Sequence, residues 1–194
     1  VGLTFLADSG AHRHTSYAVH VGKLQGALPG VPALYVRSVD NVIQVETGPA
    51  RFQLGGLGDD KLLRQVSDAH GEFLNLSGVR LAFRSARGRL GHATVEEMVI
   101  EEAGPVRARV AVRGRLGRTG LMFSGRLSLF AGTGRVRCEL TVENPARARH
   151  RGGYWDLGDP GSVLLQDLCL ETGTGLGSER RIRWSEQAAG AITE

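Results

Sequence analysis

Short runs of alternating apolar and polar residues fill the middle of the chain. Asn41 to Gln53 (NVIQVETGPARFQ) alternates on both sides of a Thr-Gly-Pro break. In Val79 to Ser85 (VRLAFRS), Val79, Leu81 and Phe83 share one face, with Arg80 and Arg84 on the other. Val106 to Leu116 (VRARVAVRGRL) sets Val106, Ala108, Val110 and Val112 against Arg107, Arg109, Ala111 and Arg113. Leu121 to Phe130 (LMFSGRLSLF) follows, and then Arg135 to Glu143 (RVRCELTVE), with Val136, Cys138, Leu140 and Val142 on one face. Successive side chains of a strand point to opposite faces, so a period of two puts one face in a core and the other in water. Turn signals recur roughly every 8 to 12 residues, the spacing of sandwiches and barrels. The pattern predicts an all-β, mainly antiparallel β-sandwich with the arginine-bearing faces toward solvent.

Helix signal is scarce. Asp59 to Ala69 (DDKLLRQVSDA) fits two or three helical turns, with Asp59 or Asp60 as cap and Leu62, Leu63 and Val66 as the stripe. It fits equally a strand pair in which Leu62 to Val66 is buried. The Pro/Gly-rich GALPGVPA, ending at Ala33, reads as a loop. No internal repeat or linker divides the chain, so residues 1–194 are expected to form a single β-sandwich domain. Val1 to Ala7 already reads as a strand and Val1 is not a Met, from which a piece of a larger multidomain protein is expected.

Composition narrows the classes. Of 194 residues, 41% are apolar, enough for a core, and no stretch approaches the roughly 20 consecutive apolar residues of a membrane span. The net charge is +4, and the basic residues are nearly all arginine, Lys23 and Lys61 being the only lysines. Arginine suits bidentate contacts to carboxylate or phosphate. The arginines are interleaved with acids rather than clustered, which argues against nucleic acid as a partner. Cys138 and Cys169 sit in apolar alternating segments and are expected as buried thiols. A disulfide between them requires that their strands be neighbours.

The segment richest in chemistry is Asn144 to Leu170 (NPARARHRGGYWDLGDPGSVLLQDLCL), which opens with an Asn-Pro turn signal. It sets Arg147, Arg149, His150 and Arg151 close to Tyr154, Trp155 and Asp156. Aromatic rings give flat apolar faces for sugar C–H groups, arginine clamps a carboxylate, and histidine titrates near neutral pH. These seven residues are the candidate contacts for an acidic sugar. The same stretch also reads as a strong Gly-Asp-Pro-Gly turn with the two rings plugging an edge of the sandwich.

Other features carry less. His12 and His14, two apart, would share a strand face, but no third ligand stands near them, so no metal is expected. His20, His70 and His92 are isolated in the sequence and read as surface residues. The pairs Glu96-Glu97 and Glu101-Glu102 flank Met98-Val99-Ile100. Adjacent residues of a strand point to opposite faces, so the members of each pair cannot cooperate simply, which leaves a solvated strand rim. Gly55-Gly56-Leu57-Gly58 lacks the lysine and helix of a phosphate loop, and no nucleophile elbow occurs. No cofactor is implied.

Several of these runs together resemble a known family. Glu101 to Ala108 (EEAGPVRA), Phe123 to Gly132 (FSGRLSLFAG), Val136 to Pro145 (VRCELTVENP), Val45 to Phe52 (VETGPARF) and Trp155 to Leu170 (WDLGDPGSVLLQDLCL) are similar to the central β-sandwich module of proteins like the exo-acting rhamnogalacturonan lyases. In that family the sandwich lies between an N-terminal β-barrel and a C-terminal α/α toroid. The resemblance spans Asn41 to Leu170. It implies a secreted or periplasmic polysaccharide-lyase-like protein that degrades pectin-type, uronate-containing glycans by β-elimination. Such chemistry needs a cation for the carboxylate, a base and an acid. The chain lacks the toroid and a complete barrel, and no catalytic residue carries over. The expectation is therefore an accessory module, with an acidic oligo- or polysaccharide and the flanking domains of the parent chain as partners. Two other readings stand beside it. Arg149 to Asp156 could belong to an active centre completed by the toroid, or the chain could be a structural or protein-interaction module with no sugar site.

Overall fold

The computed structural model describes residues 34–68, 71–72, 74–143 and 165–174. Among these the chain is all-β and antiparallel, as the alternation predicts, and no helix occurs. The strands are β1 (Tyr35–Val39), β2 (Val42–Glu46), β3 (Ala50–Leu54), β4 (Lys61–Asp68), β5 (Gly71–Glu72), β6 (Leu74–Ser85), β7 (Leu90–Ala103), β8 (Arg107–Leu116), β9 (Met122–Phe130), β10 (Val136–Glu143) and β11 (Leu165–Thr174). Asp59 to Ala69, open between helix and strand in the sequence, contributes β4. The strand read at Val1 to Ala7, the loop ending at Ala33, and His12, His14, His20 and His70 lie outside the described residues.

The strands follow one another as a meander, β1-β2-β3-β4-β6-β7-β8-β9-β10, with β5 on β4 and β11 returning to β6. The β1–β2 hairpin turns on Asp40 and Asn41, both with positive φ and flanked by the pair Val39 and Val42. Two left-handed residues give the tight turn whose twist matches that of the strands.

The architecture is decided at β6. A strand has two edges, and β11 occupies one of them from Leu74 to Ser85. The other is divided: Val79 and Arg80 pair with β4, while Ala82, Phe83 and Arg84 pair with β7. The sheet therefore forks into two leaves, β1–β4 and β7–β10. Ile43, Val45, Phe52, Leu54 and Leu63 of the first leaf share a buried cluster with Ala108, Val110, Leu127 and Leu129 of the second. A second cluster fills the fork with Leu62, Leu81, Phe83, Ala93, Val95, Val112, Leu116, Leu121 and Phe123. Leu62 and Leu63 are adjacent, yet each serves a different cluster, and irregular pairing of β4 with both its neighbours allows it. Two consecutive buried leucines are what blurs the strand signal there.

Glycines make room where the leaves come together. A Cβ on Gly114 would meet the Thr94 carbonyl and the Phe123 ring, and one on Gly91 would meet the Phe83 ring. The β3–β4 loop docks on β7: the Gly58 amide donates to the Val95 carbonyl at 2.8 Å, and the Val95 amide to the Asp59 carbonyl at 2.7 Å.

The expectation of buried thiols is corrected, because both cysteines are free and exposed. Cys138 does lie beside buried Leu127, but β10 is the last strand of its leaf and its inward side is only partly covered. Cys169 was placed on the wrong face. Leu168 and Leu170 pair with Phe83 and Leu81 and share their face, although both remain exposed, and Cys169 alternates with them on the face of Asp167 and Glu171. The two cysteines stand on β10 and β11, which are not neighbours.

Candidate functional site

The seven sequence candidates, Arg147, Arg149, His150, Arg151, Tyr154, Trp155 and Asp156, lie outside the described residues. The described chemistry is concentrated on the outer faces of the two leaves.

The outer face of β7–β10 follows from the alternation in β8. Ala108, Val110 and Val112 go inward, so Arg107, Arg109, Ala111, Arg113 and Arg115 share the solvent side. Opposite them, β7 is not regular. Its pairing with β8 slips between Val95 and Glu97 and again between Ile100 and Glu102. A bulge sets two residues against one and re-aims side chains. Each slip falls at a glutamate pair, and all four carboxylates consequently reach arginines of the outer face. Glu96 pairs with Arg115 at 2.8 Å, Glu97 with Arg113 at 3.7 Å, Glu101 with Arg126 at 2.8 Å and Glu102 with Arg107 at 2.6 Å. The expectation that adjacent glutamates face opposite ways fails here, because it assumed unbroken alternation.

Cross-strand register completes the surface in rows. Glu97, Arg113, Ser124 and Thr141 form one, and Val99, Ala111, Arg126 and Glu139 the next. Ala111 carries only a methyl among long charged side chains. An open trough of about 470 Å3 results, lined by Glu101, Ala111, Arg113, Ser124, Arg126 and Glu139 with neighbouring atoms of the strands. Arg126 holds Glu101 by two hydrogen bonds, Nε to Oε2 at 2.8 Å and Nη2 to Oε1 at 3.2 Å. These bonds, together with the charges of Arg126, Arg109 and Arg113, hold the Glu101 carboxyl below its ordinary range. Glu139 is engaged by Arg137 at 2.8 Å. Among the described residues Arg113 has only the long contact to Glu97, and its side chain is 71% exposed.

A second cluster crosses the outer face at the fork. Arg80 donates from Nε to Glu171 at 2.9 Å and from Nη1 to Asp60 at 3.2 Å, and His92 Nε2 lies 3.1 Å from the same Glu171 oxygen. Hydrogen bonds from Arg80 first, and then His92, lower the Glu171 carboxyl. Nearby, burial raises Asp59, but the hydrogen bond and charge of Arg64 and the Lys61 amide outweigh it, so the net direction is down. His92, isolated in the sequence, is thus a half-buried member of a network joining β6, β7 and β11. The sequence carried no signal for it, since Glu171 is 79 positions away. The outer-face arginines of β8 were legible from alternation, but their glutamate partners were not, because bulges do not show in a period-two pattern.

Among the described residues no group of three His, Cys, Asp or Glu side chains is placed to hold a metal ion. The chain matches no protein-family model and no curated protein.

Proposed function

We propose that this chain is an accessory, non-catalytic β module that holds acidic, uronate-bearing glycans such as rhamnogalacturonan for a secreted or periplasmic polysaccharide-lyase-like protein. The observation that carries the reading is the outer face of β7–β10. There Arg113 and Arg126 line an open trough of about 470 Å3, and the charges of Arg126, Arg109 and Arg113 together hold the Glu101 carboxyl down. Arginine recognises carboxylates through two parallel N–H donors, and ligand sites commonly enclose about 300 to 1,000 Å3. The sequence resemblance, spread over Asn41 to Leu170, points to the same ligand chemistry.

An exposed ion pair contributes only about 0 to 1 kcal/mol. A shallow polar site on a lone module therefore binds in about the millimolar range, near 4 kcal/mol. Titration calorimetry with oligogalacturonates tests this. Binding that weakens as salt rises supports the reading; equal binding of neutral glucans, or none at tens of millimolar, rejects it.

One observation favours the alternative, a structural or protein-interaction module with no sugar site: each glutamate of the β7 pairs already has an arginine partner. On that reading the pairs serve only to hold the strands in register, and the same titration stays flat.

A further inference from the structure

We propose that the trough over β7–β10 seats one uronate residue, with the Arg113 guanidinium as the anchor for its carboxylate. The assignment rests on the acidic-glycan reading above and gives it a specific set of side chains, distinct from Arg147 to Asp156.

The argument starts from which cations are already engaged. Arg126 spends two donors on Glu101, Arg137 meets Glu139, Arg107 meets Glu102 and Arg115 meets Glu96, all with contacts of 3.2 Å or less. Among the arginines that line the trough, Arg113 is the one whose ion pair is stretched, at 3.7 Å, and whose side chain is mostly in solvent. A guanidinium in that state can turn its planar fork to an incoming carboxylate without breaking a short pair. The two carboxylates in the lining, Glu101 and Glu139, are each engaged by an arginine, which offsets part of their repulsion of an incoming anion.

The rest of the surface suits a sugar ring rather than a bare anion. Ser124 and Thr141 stand in the same cross-strand row as Arg113. Neighbouring strands lie about 4.8 Å apart, so this row offers two hydroxyls at successive strand spacings beside the cation. Ala111, in the adjacent row, leaves the surface open beside them. The described lining contains no aromatic side chain. Recognition here is polar and depends on salt, and it does not need the stacking platform expected of Tyr154 or Trp155.

The test is calorimetric titration of the chain with trigalacturonate and with a neutral glucotriose, for wild type, Arg113→Ala, Arg113→Lys and Trp155→Ala. Arg113 is a surface side chain, and unchanged circular dichroism and melting temperature of its variants establish that the fold is intact. We expect Arg113→Ala to weaken trigalacturonate binding about two- to fivefold, the effect of losing one exposed ion pair. Arg113→Lys recovers only part of the loss, because a lysine cannot present the fork. Trp155→Ala reports on the Arg147–Asp156 segment instead of the trough. If wild type and Arg113→Ala bind trigalacturonate equally, the trough assignment is overturned while the acidic-glycan reading survives; loss on Trp155→Ala would then move the site to the Arg147–Asp156 segment. If wild type binds no trigalacturonate, or binds glucotriose as well, both readings fall together.

Discussion

The hydroxyl of Thr47 donates to the carbonyl of Thr133 at 2.6 Å, across 86 positions of sequence, and ties the β2–β3 turn to the β9–β10 turn. The Gly132 amide donates to the Thr47 carbonyl at 2.7 Å, and the Thr47 amide to the Ala50 carbonyl at 2.9 Å. Thr47 is fully buried, a polar side chain at the end of the core where the two leaves meet. Thr47→Val keeps the shape and removes the hydroxyl donor, so the half-buried Thr133 carbonyl loses this bond while the Ala50 carbonyl keeps the Thr47 amide. We expect a loss of about 0.5 to 1.5 kcal/mol in urea unfolding, and Thr47→Ser to recover most of it.

Gly114 gives a steric prediction. It lies on the inward side of β8, with the Thr94 carbonyl and the Phe123 ring where its Cβ would be. The backbone atom cannot rotate away, and Phe123 is itself buried. Gly114→Ala should lower stability by about 1 to 3 kcal/mol, the range for overpacking a filled core. Gly58 is the contrast: nothing crowds it, but its φ is +82°, so Gly58→Ala should cost about 1 to 2 kcal/mol through the backbone alone. Denaturant midpoints of each variant against wild type check the two values.

Acid should act through Glu171. Its carboxyl is lower in the folded chain than in the unfolded one, so the unfolded state takes up the proton first as pH falls. The stabilisation is whole above the ordinary glutamate value of about 4.3 and drains away as pH drops through that value toward the lowered one. Melting temperature followed from neutrality down to about pH 3 should fall less steeply for Glu171→Gln than for wild type. An unchanged slope would show that the bonds from Arg80 and His92 do not hold in solution.

The thiols offer a chemical check on strand parity. Cys138 and Cys169 are exposed and free, so an aromatic disulfide reagent should label both in the native protein. Both thiols are pushed up, by partial burial first and then by carboxylates: Glu139 for Cys138, Asp167 and Glu171 for Cys169. The thiolate is the reacting form, so labelling should be slow at neutral pH and quicken as pH rises. Absorbance of the released thiolate measures it.

What was legible in the sequence was the face of a regular strand. The alternation of Val110 and Val112 with Arg109 and Arg113 describes β8 as it stands, and the Thr-Gly-Pro break marks the β2–β3 turn. What was not legible arose from departures from regularity or from distance. Bulges at the glutamate pairs of β7 brought all four carboxylates to one face. Leu62 and Leu63 both count as apolar, although they serve different clusters. Cys169 looked apolar by its neighbours Leu168 and Leu170, when its parity was that of Asp167 and Glu171. The trough depends on strand register, which brings Arg113 of β8 beside Ser124 of β9 and Thr141 of β10. No local pattern contains that information.

The edge of β6 that β11 covers also bears on how the chain assembles. Hairpins along the meander close over short loops, each with a small entropic penalty. β11 is different: Glu171 must find Arg80 from 91 positions away. Until it does, the whole of β6 presents open amide and carbonyl groups beside Leu81 and Phe83, the kind of edge that recruits strands from other chains. Docking of β11 is therefore expected to come late in folding, as a long-range pairing. A chain cut before Leu165 should collapse its leaves on schedule and then aggregate through the uncovered edge of β6.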